Sequence, residues 1–115
     1  MFDSITEVSL LFDFYGELLT ERQREVFSLY HEENFSLSEI ADELGISKAG
    51  VYDTLKKAEQ ALKKYEEKLG LVEKFGEARE AIGKIDEDLS KLADKHPDTK
   101  ADIEKIKSLI DKLDI

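Results

Sequence analysis

Leu37-Ser38-Glu39-Ile40-Ala41-Asp42-Glu43-Leu44-Gly45-Ile46-Ser47 is the stretch whose reading decides the fold. Ser36 stands just before it with Glu39 three residues on, the spacing at which serine and glutamate side chains satisfy each other's backbone N–H groups at a helix start. The helix so begun runs to Leu44. Gly45 follows, able to take the left-handed backbone that ends a helix without a Cβ clash. Ile46 is expected to drop into the core, and Ser47 is the next N-cap. A short capped helix, a small Ala41 at the crossing, a glycine turn and a second cap make the grammar of a helix-turn-helix. Ile40, Leu44, Ile46, Val51 and Leu55 would fix the angle between its two helices.

Upstream, Ser4 with Glu7 and Thr20 with Gln23 repeat the capping spacing. Ile5, Val8, Leu11, Phe12, Tyr15, Leu18 and Leu19 recur at intervals of three and four, which predicts a first helix with one broad apolar face. A second, from about Glu21 to Glu33, is expected to bury Val26, Phe27, Leu29 and Tyr30. Downstream, a long helix is expected from Ser47 to Leu69, with Val51, Leu55, Ala58, Leu62, Tyr65 and Leu69 along one stripe.

That stripe outlasts the head, so Leu62, Tyr65 and Leu69 are expected to need a further partner. Gly70 and Gly76 flank Leu71, Val72 and Phe75 and predict a break or kink. After it, Ile82, Ile85, Leu89 and Leu92 keep the helical spacing, Pro97 halts the helix, and Ile103, Ile106, Ile110 and Leu113 resume it, which predicts a helical hairpin. The expected architecture is all-α: a helix-turn-helix head over residues 1–70 with a long fourth helix, and a C-terminal helical extension over 71–115. Leu62, Tyr65, Leu69, Ile82, Ile85, Leu89 and Leu92 are the candidate dimerisation residues, and a homodimer is expected.

The 115 residues carry 17 lysines and arginines against 27 aspartates and glutamates, a formal charge of −10. Such a field repels phosphate at long range, so any nucleic-acid contact must come from a local basic stripe. The chain has no cysteine, which excludes a disulfide scaffold, thiolate zinc sites and cysteine nucleophiles. The N-terminus lacks a basic region before its apolar residues and does not read as a signal peptide. No apolar run approaches bilayer length. A cytoplasmic protein without a membrane role is the expectation.

The local basic stripe lies on the helix after Ser47. Between Ser47 and Lys64 there are five lysines (48, 56, 57, 63, 64) against Asp53 and Glu59, reversing the overall balance. Ser47, Lys48, Ala49, Gly50, Tyr52, Asp53, Lys56 and Lys57 are the candidate nucleic-acid contacts, because a recognition helix meets base edges with its first turns and phosphates with lysines and capping hydroxyls. The alternative is a protein-interaction adaptor, in which the same lysine face and Tyr52 dock an acidic partner.

From Leu19-Thr-Glu-Arg-Gln-Arg-Glu-Val-Phe27 through the turn to Val51-Tyr-Asp-Thr-Leu-Lys-Lys57 and Lys64, the chain resembles the promoter-reading fourth region of bacterial sigma factors. Leu11-Phe-Asp-Phe-Tyr15, Leu18-Leu-Thr20, Val51-Tyr-Asp53, Tyr65-Glu-Glu-Lys-Leu69 and Glu73-Lys-Phe75, in that order, resemble the YlxM family over roughly the first two-thirds of the chain. The resemblance implies a DNA-binding or regulatory helix-turn-helix protein, placed by gene neighbourhood in the signal-recognition-particle pathway. The particle's RNA and its protein component are then implied as candidate partners. Where the family pattern carries Ser-Arg-Gln-Ala, this chain has Ser47-Lys-Ala-Gly50, lacking a guanidinium and an amide suited to base edges.

Nothing in the sequence points to an enzyme or a cofactor. His31 and His96 lack a second ligand at helical spacing and read as surface or capping residues. Glu32-Glu33, Glu66-Glu67 and Asp86-Glu87-Asp88 read as solvated surface, since adjacent helical residues face different ways. Gly16 is expected to allow close packing, and Phe12, Phe14, Tyr15, Phe27, Tyr30 and Phe35 fall mostly at core-compatible positions.

Overall fold

The computed structural model describes residues 5–113, with side chains from residue 7. Its elements are α1 (Ile5–Tyr15), a 3₁₀ turn (Gly16–Leu18), α2 (Glu21–His31), α3 (Leu37–Leu44), α4 (Lys48–Leu69), α5 (Leu71–Lys95), a second 3₁₀ turn (Pro97–Thr99) and α6 (Lys100–Asp111). Among the described residues there is no strand, and the fold is the expected all-α helix-turn-helix architecture. The chain divides into two compact units, Met1–Val72 and Glu73–Ile115.

Side-chain capping sets the starts of α2 and α3. Thr20 and Gln23 form a reciprocal capping box at α2, and Ser36 and Glu39 form one at α3. The box expected at Ser4 and Glu7, like the side chain of Ile5, lies outside the described residues. The first apolar segment is not one helix: α1 ends at Tyr15 and the chain tightens into Gly16–Leu18. The tighter turn, three residues against 3.6, rotates Leu18 outward to 54% exposure, whereas Leu19 returns to the core. Burial of Leu18 is thus corrected, as is that of Tyr30, which stays exposed against the edge of the His31 ring. Gly16 is buried where a Cβ would meet the Phe12 ring at 3.1 Å, so this glycine is needed for the close approach.

The core of the first unit is built on α4. Val51, Leu55, Ala58 and Leu62 are buried along one side of it and join Val8, Leu11, Tyr15, Leu19, Val26, Phe27, Ile40 and Ala41 from the other helices in one cluster. The Phe12 and Phe27 rings stack at 4.7 Å within it. The expectation that Leu62 lacks cover and belongs to a dimer surface is corrected: the side chain is 0% exposed inside this unit. Tyr65 is half-buried, packed on the same cluster with its hydroxyl donating to the Leu18 carbonyl at 3.3 Å. Of these three residues only Leu69, 50% exposed, is left without cover.

Two polar contacts that sequence spacing does not show tie distant segments together. The Tyr15 hydroxyl donates to Glu66 Oε1 at 2.5 Å and accepts the Leu71 N–H at 3.1 Å, while Glu66 also accepts the Val72 N–H at 3.0 Å. Gly70, at φ +62°, makes the left-handed turn that brings those two N–H groups round. His31, the last residue of α2, meets Glu59 on α4 through Nε2 and Oε1 at 2.9 Å, and Glu59 is only 6% exposed. The expected surface or capping histidine is instead a cross-helix partner for a buried carboxylate. The break expected around Gly70 and Gly76 falls at Gly70 alone, since α5 runs through Gly76 as helix.

In the second unit α5 and α6 are antiparallel. Lys107 Nζ reaches Ser90 Oγ and lies 3.6 Å from Asp86, while Ile110 lies beside Ile82 and Gly83. Ile103 is buried, and Ile82, Leu89 and Ile110 are half-buried. Ile85, Leu92, Ile106 and Leu113 remain exposed.

Two outcomes follow from the packing of the first unit. Leu62→Ala, which empties a fully buried site, is expected to cost about 2–5 kcal/mol in urea denaturation, and Leu69→Ala no more than about 0.5 kcal/mol. Burial and the hydrogen bond to Glu66 hold the Tyr15 phenol above its ordinary value of 10.0. A raised folded-state pKa means the native chain holds the proton more tightly than the unfolded chain does. The stabilisation is therefore complete below about pH 10 and is lost as pH rises through the folded value. Tyr15→Phe should lower stability at pH 7 by about 1–3 kcal/mol and flatten its decline above pH 10, measured by denaturant titration across pH.

Candidate nucleic-acid interface

The corner between α3 and α4 is held by backbone geometry. Gly45 takes φ +68° and ψ +35°, and its N–H and that of Ile46 both donate to the Ala41 carbonyl, at 2.9 and 3.1 Å. Double capping of one carbonyl ends α3 and turns the chain by a fixed amount. Ser47 then caps α4, its hydroxyl accepting the Gly50 N–H at 3.0 Å. A Cβ on Gly50 would come within 3.1 Å of that oxygen, so the small residue keeps the cap uncrowded.

Ala41, Val51 and Leu55 are buried beneath this corner with Ile40, and Leu44 and Ile46 pack against them half-buried. The opposite side of α4's first turns faces solvent. Ser47, Lys48, Ala49, Tyr52, Asp53, Lys56 and Lys57 are all exposed, and Gly50 is half-buried among them. The structure thus brings the candidate contacts onto one accessible stretch. It adds an ion pair: Lys57 Nζ lies 3.0 Å from Asp53 Oδ2, one helical turn away. Lys48 and Lys56 make no ion pair, leaving two uncompensated ammonium groups on that surface among the described residues.

The neighbouring helix carries the opposite sign. Glu39, Asp42 and Glu43 are exposed on α3. The backbone N–H and hydroxyl of Ser36 hold the Glu39 carboxyl below its ordinary range, so it stays charged. Between α3 and α4, all the exposed lysines stand on α4.

Two other features lie apart from these residues. A recess of 680 Å³ is lined by Phe12, Tyr30, His31, Phe35 and their neighbours, and holds none of the candidate contacts. Among the described residues no group of three or more His, Cys, Asp or Glu side chains is arranged to hold a metal ion. Nor is any helix of the described residues long and apolar enough to cross a membrane.

A family model described as "UPF0122: Putative helix-turn-helix protein, YlxM / p13 like" matches residues 2–107. A UPF0122 protein of Caldanaerobacter subterraneus subsp. tengcongensis is 53% identical over 76% of this chain and 74% of its own. One from Thermoanaerobacter sp. strain X514 is 42% identical over the full length of both chains. A third, from Listeria welshimeri, is 37% identical over 95% of this chain and 99% of its own. The match extends well into the C-terminal hairpin, beyond the two-thirds legible from motifs. With a capped, glycine-turned corner of the kind that description names, the chain belongs to the UPF0122 family of YlxM/p13-like helix-turn-helix proteins.

Proposed function

We propose that this chain is a non-enzymatic, cytoplasmic helix-turn-helix accessory protein that contacts nucleic acid through the first turns of α4. The observation that carries the reading is the surface itself. A helix start held rigid by Gly45 and Ser47 presents Lys48, Tyr52 and Lys56 outward with no packing duty in the described chain. Duplex DNA is the first ligand to test. The family resemblance, which places YlxM proteins by gene neighbourhood in the signal-recognition-particle pathway, makes that particle's RNA the second.

The chemistry of the surface favours backbone contact over base reading. Lysine is a point charge without the planar fork that grips guanine, and no arginine, asparagine or glutamine stands among Ser47, Lys48, Ala49 and Gly50. Binding of this kind depends steeply on salt and weakly on sequence.

A second reading is favoured by the exposed Glu39, Asp42 and Glu43 beside the corner. Carboxylates there repel phosphate but suit a protein partner carrying charges of both signs, and the particle's protein component is the candidate to test.

Titrations of DNA, RNA and that protein at two salt concentrations separate the readings. For nucleic acid, Lys48→Ala or Lys56→Ala should each lower the salt slope by roughly one, and glutamate at positions 48, 56 and 57 together should abolish binding. Asp53→Ala should strengthen binding, since it removes a negative charge and frees Lys57. No salt-dependent binding to DNA or RNA, with the protein component bound and its binding weakened by Asp53→Ala, would overturn the nucleic-acid reading in favour of the adaptor.

A further inference from the structure

Among the described residues, the recess beside the α2–α3 connection is lined only by the first unit, and by no residue of α4, so it stands apart from the lysine surface. Its walls are aromatic and held in place. Phe12 stacks on Phe27 at 4.7 Å, His31 lies 4.4 Å from the same Phe27 ring, and Tyr30 meets His31 edge-on at 5.0 Å. The connection between the helices closes the other side. Asn34 takes φ +59°, a left-handed turn that asparagine tolerates better than most residues, and the Phe35 N–H then donates back to the Leu29 carbonyl at 2.9 Å. Buried Val8 lies among these side chains.

The rim is anionic. Glu32 and Glu39 both line the recess, both are exposed, and neither has an ion-pair partner among the described residues. No lysine stands between Glu7 and Ser47, and the two arginines of that stretch, Arg22 and Arg24, lie beside Glu25 and Glu17. His31 is engaged by Glu59 through Nε2 at 2.9 Å. That part of the chain therefore offers no free cation to the two carboxylates.

Aromatic rings beneath unpaired carboxylates complement a guanidinium, whose flat face stacks on the rings while its N–H groups meet the carboxylate oxygens. Val8, Phe12 and Phe35 suit an apolar neighbour of that group. The exposed Tyr30, Glu32 and Glu39 leave the recess open at its rim, which fits a passing chain better than a small molecule, whose sites enclose most of its surface.

We propose that this recess docks a basic segment of a partner protein, with an arginine against the Tyr30 and His31 rings, Glu32 and Glu39 as its counter-charges, and a neighbouring aliphatic side chain over Val8, Phe12 and Phe35. The contact needs nothing from α4, so it holds whether or not that helix binds nucleic acid.

A capped Gly-Arg-Leu-Arg-Gly peptide, titrated into the isotope-labelled full chain and followed by backbone amide shifts, tests it. Shifts should centre on Tyr30, His31, Asn34 and Phe35 and saturate at millimolar peptide or below. Glycine in place of the peptide's leucine should weaken binding about fivefold, and glutamate in place of both arginines should abolish it. Glu32→Gln with Glu39→Gln should weaken it about three- to tenfold, and Tyr30→Ala about threefold. Glutamine at 39 can keep the reciprocal cap with Ser36, and at 32 it can still accept the Ser28 hydroxyl, so the fold is retained. Glu77→Gln with Glu80→Gln removes the same charge from exposed positions of α5 and should leave the affinity as it is.

Absence of binding would overturn the proposal. Shifts centred elsewhere, or an equal loss on substituting Glu77 and Glu80, would also overturn it, since attraction by net charge would then suffice. Agmatine binding as tightly as the peptide would make the recess a small-cation site instead. Shifts of the same amides on raising the protein concentration without peptide would make a second copy the occupant, and either result overturns a partner segment.

Discussion

The buried side of α4 is the surface on which the rest of the first unit is assembled. Val51, Leu55, Ala58 and Leu62 present it, and α1, α2 and α3 all pack there. A single helix serving three partners must carry apolar residues over nearly its whole length, and its outward side is then left to charged residues. The lysines of the candidate interface occupy that remainder. Core and candidate interface are therefore two sides of one helix, and the corner at Gly45 fixes how the second side is displayed.

Polar closure completes what apolar packing begins. Glu59 is taken out of water and meets His31, while Tyr15, fully buried, shares its hydroxyl between Glu66 and the Leu71 N–H. Every fully buried side-chain nitrogen or oxygen among the described residues has a partner. An unpaired group at such depth would cost more than a surface contact returns, so these arrangements confine the helices to one register.

The fold was legible where chemistry is local. The capping boxes at Thr20 and Ser36, the left-handed Gly45 and the cap at Ser47 rest on spacings of three residues or fewer, and all stand in the structure. What escaped depends on segments far apart in sequence. His31 and Glu59 are 28 positions apart and Tyr15 and Glu66 51, distances at which no periodicity links them. Leu18 was misplaced because a 3₁₀ turn changes the angular step at Gly16, and apolar spacing alone does not register that change. Leu62 was misassigned because apolar spacing does not say how far α1 reaches along α4. The outward side of α4 was legible from sequence as an exposed, lysine-bearing surface. Its Asp53–Lys57 pair lies at an ordinary helical spacing whose geometry only coordinates supply.

The corner also bears on how such a protein can change over generations. Its shape is written in Ala41, Gly45, Ile46 and Ser47, through backbone hydrogen bonds and one hydroxyl. Lys48, Ala49, Tyr52 and Lys56 contribute nothing to it. Substitutions at those outward positions are nearly free of folding cost, so a lineage can rewrite what the helix touches while inheriting the turn unchanged. Within one family, a shared corner therefore gives no guarantee of a shared ligand, and divergence of binding partner is open to drift as well as to selection.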